Sequence, residues 1–281
     1  MKKIYLFSLS VLIIFTASAQ DSILFKMYYK PMHTYNQSIS QKMDMQMILD
    51  GDSSVMQKMK DNGVSNPMVM NEGMDMESTI TTDQIKGNIF PLRLKVLKSI
   101  ITTRVFNQDT KSGIPAGTIY SGLDTLGKMP IYNSIVSDSM DEDEKSKVLK
   151  MLNSISSKLT APDKQMGIGE EYTQNTTIPL PIAGMVLNMN FSINYKLISI
   201  TDSLANFDIK TKIIITGDMQ DMTPIKGTGE GGGVLVYDRK NEFPSKEELH
   251  FNIDAIIKKE QMLLKLSVGS NSSYLYTFQA R

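Results

Sequence analysis

The sequence has 281 residues, with no cysteine, no tryptophan, two histidines and 21 methionines, and its 30 acidic and 30 basic side chains cancel in charge. The absence of cysteine excludes disulfides, thiolate metal sites and cysteine nucleophiles. The absence of a basic excess argues against a protein that binds nucleic acid.

The first predicted element is an export signal. Lys2 and Lys3 precede an apolar run from Ile4 to Phe15, and the small residues Ala17-Ser18-Ala19 follow as a cleavage site. A membrane-spanning helix needs roughly 20 apolar residues, so this shorter run is typical of a signal peptide covering residues 1–19. No cysteine follows that could carry a lipid anchor. We therefore expect a soluble mature protein, periplasmic or extracellular, that does not span a membrane.

Methionine is concentrated early in the chain, because 11 of the 21 methionines lie between Met27 and Met76. Most of them form M-x-M pairs: Met43, Met45, Met47, Met68, Met70, Met74 and Met76. Residues i and i+2 of a β-strand share a face, so these thioethers are expected to line one face of one sheet. That face is either a flexible hydrophobic core or pocket lining, or a Cu(I) site built from soft thioether ligands.

Alternation of apolar and polar residues dominates the chain. Met43, Met45 and Met47, for example, alternate with Asp44 and Gln46. The same alternation recurs at 90–96, 249–257, 262–268 and 274–278. Runs rich in β-forming residues lie at 186–197 and 206–215. This period predicts antiparallel strands with one buried and one polar face. Runs longer than the usual 5–6 residues must twist. We therefore expect a mainly β (α+β) fold, with long, curved antiparallel sheets and a concave apolar face.

Turn signals are predicted between these strands. They are Asp61-Asn62-Gly63, Lys86-Gly87-Asn88, Thr216-Gly217-Asp218 and Gly269-Ser270-Asn271. Glycine, asparagine and aspartate are the residues that tolerate turn geometry.

One amphipathic helix is predicted over about 139–159. Ser139 is the expected N-cap, with Glu142 completing a capping box, and four acidic residues at 141–144 suit the positive end of the helix dipole. The apolar stripe consists of Val148, Met151, Leu152, Ile155 and Leu159. We expect this helix to plug the concave face or to pack across it. A shorter helix is possible at 54–60.

The helix divides the mature chain into two β-rich halves. We predict an N-terminal half at 20–138, a helix and connector at 139–165, and a C-terminal half at 166–281. The two halves are similar in length, and each begins with a tyrosine-containing strand. A duplication is one explanation of this arrangement.

Motifs for catalysis or cofactors are weak. The segment Gly227 to Gly232 matches GxGxxG, but a strand pattern follows it where a dinucleotide site needs a helix. The acidic block at 141–144 lacks the spaced ligands of a calcium loop. His33 and His250 are the only imidazoles, and they lie on distant segments. We predict no enzyme activity, no catalytic or cofactor-binding residue and no cofactor.

Three segments carry a family resemblance. Tyr35 precedes the first methionine-bearing strand, Gly169-Glu170-Glu171-Tyr172 opens the second half, and Gly229 to Asp238 is a glycine-rich strand with an aspartate near its end. In these features the sequence resembles an uncharacterised family of exported β-rich proteins from Bacteroidota. The resemblance implies export and a β-rich fold, and it implies no activity.

The leading functional hypothesis is a non-catalytic binding protein of the cell envelope. A coiled sheet must fill its concave side with side chains, a helix or a ligand, so an apolar small molecule or lipid is the expected partner. Two alternatives stay open: Cu(I) binding through the methionines listed above, and a structural module that binds another envelope protein. An enzyme is the least favoured class.

Overall fold

The computed structural model describes residues 22–61, 63, 65–106, 108–159, 162–182, 185–217, 225–259 and 262–281. The predicted signal peptide lies outside these residues. The described chain is mainly β. Its elements are β1 (Ser22–Lys26), β2 (His33–Asp50), α1 (Ser53–Asp61), β3 (Met68–Thr82), β4 (Ile89–Val105), β5 (Gln108–Ser112), β6 (Ile119–Thr125), β7 (Ile131–Val136), α2 (Glu142–Ser156), β8 (Asp163–Gly167), β9 (Glu171–Ile182), β10 (Met185–Ile200), β11 (Leu204–Gly217), β12 (Ile225–Asp238), β13 (Phe243–Lys259) and β14 (Met262–Ala280).

Twelve of these strands form one antiparallel sheet. Its order is β7-β6-β4-β3-β2-β14-β13-β12-β11-β10-β9, and β5 pairs with the end of β4. The last strand, β14, pairs with the first long strand, β2, from Leu263–Asp50 to Ala280–His33. Strands from both predicted halves therefore belong to the same sheet. The strands β1 and β8 form a separate two-stranded sheet.

Long antiparallel strands confirm the predicted fold class, although one turn prediction is wrong. The glycine at position 87 has a positive φ of 64° in the turn before β4, as the Lys86-Gly87-Asn88 signal predicts. Strand β14, in contrast, continues through Gly269-Ser270-Asn271. Its neighbours β13 and β2 pair with it on both sides there, and their backbone hydrogen bonds override the local preference for a turn.

The sheet has two chemically different faces. The core face carries a row of directly paired residues that crosses seven strands: Phe191, Ile213, Gly229, Ile253, Val268, Met45 and Met70. The polar face carries a neighbouring row in the opposite phase: Asn194, Lys210, Gly232, His250, Asn271 and Lys42. In these two rows the alternation matches the predicted division into one apolar and one polar side, although exposed apolar side chains such as Ile214, Val234 and Ile256 interrupt the polar face elsewhere.

The sheet bends sharply at β12. Strands two places apart lie about 9.6 Å from each other in a flat sheet, yet Cα atoms of β11 and β13 come within 8 Å. A Cβ atom at Gly233 would overlap the Glu248 carbonyl oxygen, and one at Gly231 would overlap that of His250. Glycine is required at these positions because any side chain would overlap the backbone of the neighbouring strand β13. The glycine-rich segment is a strand, as its sequence context predicts.

Helix α2 covers only one end of the core face. Its Val148, Leu149 and Leu152 pack on Val96 and Tyr120 of β4 and β6 and on the neighbouring β7. The Asn153 side chain accepts a hydrogen bond from the Tyr132 N–H (2.9 Å) and donates one to its carbonyl oxygen (2.7 Å). The helix is thus attached to the β4–β6–β7 end, and it leaves the core face of β9, β10, β13 and β14 to other segments.

The N-cap of α2 lies two residues beyond the predicted one. Asp141, not Ser139, caps the helix: its side chain accepts from the Glu144 N–H at 2.8 Å, and Glu144 accepts from the Asp141 N–H at 3.2 Å. Ser139 instead hydrogen-bonds Ser137 at 3.2 Å. Both serine and aspartate precede a glutamate by three residues, so sequence spacing alone does not separate them. Met151, predicted in the apolar stripe, is 55% exposed.

The β1–β8 ribbon covers a second part of the core face. Phe25 is fully buried, with ring centroids 4.5 Å from Phe207, 5.4 Å from Tyr195 and 5.7 Å from Tyr237. The segment that follows β1 then crosses the sheet toward β2. There the Lys30 N–H donates to the Tyr35 hydroxyl at 2.7 Å, so the crossing segment is held against the sheet.

Candidate functional site

A partly open cavity of about 250 Å³ lies on the core face, beyond the reach of α2. The segment after β1, the turn before β7 and the segment before β8 enclose it against strands β9, β10, β13 and β14. Its lining is mainly aromatic and apolar: Met27, Tyr28, Tyr29, Lys128, Met129, Pro130, Leu159, Pro162, Gln174, Ile193, Tyr195, Phe243, Pro244, Glu247 and Tyr276.

Stacked aromatic rings build one wall of the cavity. The ring of Tyr29 stacks on Phe243 with centroids 5.3 Å apart, and Phe243 meets Tyr276 edge-on at 5.4 Å. The Gln37 side-chain amide donates to the Tyr276 hydroxyl at 3.1 Å and fixes that ring. Such contacts hold the wall rigidly, because aromatic pairs have preferred geometries and few rotatable bonds.

Glu247 is the one acidic side chain among the described lining residues. It lies on the core face of β13, directly paired with Leu235 on one side and Tyr274 on the other. Burial raises the pKa of Glu247 to about 7. Burial also raises the pKa of Tyr195 and Tyr276 above the ordinary value, and the Glu247 charge adds to both increases. The two phenols are therefore neutral at physiological pH.

A second buried carboxyl, Asp124, lies on β6 near the same aromatic wall. It is fully buried, and neither of its carboxylate oxygens has a hydrogen-bond partner in the described structure. Burial raises its pKa to about 7, although the nearby Thr125 backbone N–H opposes this increase. The Asp124 charge in turn raises the pKa values of Tyr29 and Tyr132, both of which burial raises more. Asp124 does not line the cavity, so its effect is on stability.

The seven predicted methionines all lie on the core face, away from the cavity, and are partly buried. Met45 directly faces Met70, and Met47 directly faces Met68, in two adjacent rows of the β2–β3 pair. Directly opposed residues have Cβ atoms about 5 Å apart. Met43 faces Glu72, Met74 faces Gln41 and Met76 faces Ile39. The structure thus brings four of the seven together as two pairs, and it interleaves the other three with other residues.

Neither histidine lines the cavity, and the two lie on opposite faces of the sheet. His33 is near the start of β2, and its Nδ1 lies 2.7 Å from the Pro31 carbonyl oxygen. His250 lies exposed on the polar face. Within the described ranges, no three histidine or acidic side chains are grouped closely enough to hold a metal ion.

A larger recess of about 790 Å³ lies on the polar face. Its floor is Gly231 to Gly233, where β12 has no side chains to fill the bend, and its walls carry charges of both signs. Lys42 and Lys210 stand beside Asp208 and Glu248. The recess is open and has no aromatic wall, so it follows from the bend at β12 and offers no defined set of ligand contacts.

Sequence reasoning missed Glu247 and Asp124, although the alternation contained a signal for both. The pattern Leu249, Phe251, Ile253 extends backwards to Glu247 on the same face. The pattern Tyr120, Gly122 extends forwards to Asp124. A charged residue at a strand position whose side chain points to the core is informative, because buried carboxyls are rare.

Comparisons with known proteins give no family. No family model matches the sequence, and no curated protein matches it. In the described part of the chain, neither helix is long and apolar enough to cross a membrane.

Among solved structures, weak similarity is found to outer-membrane proteins. OccK7 (OpdD) of Pseudomonas aeruginosa has a TM-score of 0.29 at 5% identity, covering 88% of this chain and 99% of that one. OccK5 (OpdH) of the same species has a TM-score of 0.25 at 9% identity, covering 86% and 98%. The translocator domain of the autotransporter NalP from Neisseria meningitidis has a TM-score of 0.20 at 6% identity, covering 85% and 88%. TM-scores this far below 0.5 do not indicate a shared fold, and nothing further about this chain follows from them.

Proposed function

We propose that this chain is an exported, non-catalytic binding protein of the cell envelope, which takes a small, mainly apolar molecule on the core face of its sheet. The observation that carries the proposal is the partly open aromatic cavity formed by Tyr29, Tyr195, Phe243 and Tyr276. Ligand sites are typically concave, mostly apolar and equipped with a few polar groups. The cavity has these properties, and α2 does not fill it.

The cavity volume limits the size of the ligand. A dry cavity of about 150 Å³ accommodates benzene, which has six carbon atoms. By proportion, 250 Å³ corresponds to a ligand of about ten non-hydrogen atoms. This is the size of a substituted aromatic ring or a short acyl chain, and it is smaller than a two-chain lipid.

Export and solubility are part of the proposal, and they rest on two features. The first is the signal-peptide pattern from Lys2 to Ala19. The second is the polar face, where strand residues such as Lys210, His250 and Asn271 are suited to water. A sheet that is apolar on one face and polar on the other is typical of an antiparallel sheet packed on a core on one side.

The proposal is tested with 2-phenylethanol as a neutral probe and with methyl NMR of ¹³C-labelled methionine. Met27 and Met129 line the cavity. We therefore expect the probe to shift the methyl signals of these two residues more than those of the seven clustered methionines on β2 and β3. Ile193→Trp should fill the cavity and abolish the shifts. Ile214→Trp is the matched control, because Ile214 lies on the adjacent strand and is 54% exposed.

Absence of a shift at Met27 and Met129 in the unmodified protein contradicts the proposal. Shifts that persist unchanged in a folded Ile193→Trp protein contradict it equally. Ile193→Phe, a smaller change at the same position, replaces the tryptophan variant if that variant does not fold. Native mass spectrometry of protein purified from its own envelope then shows whether a natural molecule of this size accompanies it.

Cu(I) binding is a second candidate, favoured by the facing pairs Met45–Met70 and Met47–Met68. Thioethers are soft ligands that suit Cu(I). If the candidate is correct, competition titration gives one equivalent of bound Cu(I), and the double variant Met45→Leu/Met70→Leu loses it. Met151→Leu on the exposed face of α2 serves as control. Equal binding by the control and the double variant excludes the site.

A further inference from the structure

The cavity contains a carboxyl without a partner. In the described structure, Glu247 forms no ion pair and no hydrogen bond, whereas its neighbours Lys246 and Glu248 pair with each other at 2.8 Å. The pairing of Lys246 and Glu248 on the polar face leaves Glu247 alone on the core face, because successive strand residues point to opposite sides. A largely buried carboxylate without a partner is unfavourable, so a positive or hydrogen-donating group would stabilise the ionised form of Glu247.

No cation of the described chain meets this need. Lys128 is the only basic residue among the described lining residues; it is exposed at the rim and lies beyond ion-pair distance of Glu247. Lys30, on the crossing segment, is paired with Glu242 at 3.0 Å. A group that pairs with the ionised form of Glu247 therefore has to come from outside the described chain.

The aromatic rings around Glu247 favour a cationic ligand. The Glu247 charge contributes to the raised pKa values of the neighbouring phenols Tyr195 and Tyr276. Tyr29 and Phe243 complete the aromatic wall. The face of an aromatic ring attracts a cation, and desolvated sites strengthen this attraction. Several tyrosine rings beside one carboxylate form the combination that recognises organic ammonium groups in aromatic cages.

We propose that the ligand of this cavity is an organic ammonium compound, whose charged group pairs with the Glu247 carboxylate and whose apolar body packs against Tyr29, Tyr195 and Tyr276. This inference rests on the proposed function and specifies its ligand class. An acidic ligand is disfavoured because two carboxylates would face each other in a buried site. A neutral ligand fills the volume and leaves the Glu247 charge unpaired.

The test compares two probes of equal size, phenethylamine and 2-phenylethanol, each with nine non-hydrogen atoms. Both are titrated at pH 8 into the full mature protein and followed through the Met27 and Met129 methyl signals. We expect phenethylamine to bind at least about tenfold more tightly, because a charge-assisted hydrogen bond and cation–π contacts are added. Phenylacetate, with the opposite charge, should bind more weakly than either.

Glu247→Gln keeps the side-chain shape and removes the charge. We expect it to weaken phenethylamine binding about tenfold or more and to leave 2-phenylethanol binding within about twofold. Glu248→Gln is the matched control, since Glu248 is the next residue and lies exposed on the polar face. It should change neither affinity.

The outcomes separate this inference from the proposed function. Equal binding of amine and alcohol, unaffected by Glu247→Gln, overturns the ammonium inference and leaves the apolar cavity in place. Preference for the amine that Glu248→Gln abolishes and Glu247→Gln does not also overturns it. Binding of neither probe at the cavity methionines overturns both. Preference for the amine, lost only in Glu247→Gln, supports both.

Discussion

Asp124 makes the stability of this protein depend on pH in a direction opposite to that of most carboxyls. A carboxyl that is ion-paired in the folded state has a lowered pKa and stabilises the fold at neutral pH. Asp124 is fully buried without a hydrogen-bond partner for either oxygen in the described structure, and burial raises its pKa from 3.8 to about 7. The folded state therefore retains the proton that the unfolded chain releases.

The size of the effect follows from the difference between the two pKa values. Because the folded pKa is raised, the contribution of Asp124 to the unfolding free energy is most favourable below pH 3.8 and falls as the pH rises to about 7. Each pH unit in this window costs about 1.4 kcal/mol, so the total for Asp124 is about 4 kcal/mol. Glu247 acts in the same direction, between pH 4.5 and about 7.

The variant Asp124→Asn removes the first of these two contributions. At pH 4 we expect its unfolding free energy to lie within about 1 kcal/mol of the unmodified protein, because both carry a neutral buried side chain. At pH 8 we expect the variant to be more stable by about 4 kcal/mol. Urea unfolding followed by circular dichroism at pH 4, 5, 6, 7 and 8 measures the difference.

Asp75→Asn is the control, because Asp75 is exposed on β3. It should shift the curve at all pH values by a similar small amount. If Asp124→Asn and the unmodified protein lose stability equally between pH 4 and pH 8, Asp124 is not protonated in the fold and the reasoning is refuted. The slope that remains in Asp124→Asn contains the contribution of Glu247 together with those of the other titrating groups.

Three further predictions concern the fold. Phe25→Ala should lower the unfolding free energy by about 3–5 kcal/mol, as expected for a fully buried phenylalanine. Limited proteolysis of this variant should cut the β1–β8 ribbon first. Resistance to proteolysis equal to that of the unmodified protein contradicts the role of Phe25 as an anchor of the ribbon. Gly233→Ala should destabilise more than Gly73→Ala, whose added Cβ meets nothing within 4 Å, as thermal unfolding measures. Asp141→Ala should cost about 1 kcal/mol through the lost N-cap, whereas Ser139→Ala should cost less; the reverse order contradicts the cap assignment.

The strands were predictable because their signal is local and repeated. Met43, Met45 and Met47 alternate with polar residues, and the sheet uses that same alternation to divide its core face from its polar face. The helix was predictable for the same reason, apart from its exact start. Ser139 and Asp141 satisfy the same capping pattern, and only the contact between Asp141 and Glu144 distinguishes them.

The cavity was not predictable from local patterns, since its walls come from segments far apart in the chain. Tyr29, Met129, Tyr195 and Tyr276 meet only because β14 pairs with β2 and the segment after β1 crosses the sheet. Period-two alternation gives the face of each residue, and it does not give the neighbouring strand. The choice of β2 as the partner of β14 determines which aromatic side chains share a wall.

The sequence by itself determined the composition limits, the mainly β class, the position of α2 and the shared face of the seven clustered methionines. These properties depend on residues close together in the chain, whose spacing matches the period of a strand or a helix. The tertiary structure decided that both halves build one sheet, that the sheet bends at the glycines of β12, and that α2 covers only one end. It also placed Glu247 in an aromatic cavity without a partner, because burial and pairing are properties of residues that meet across the fold.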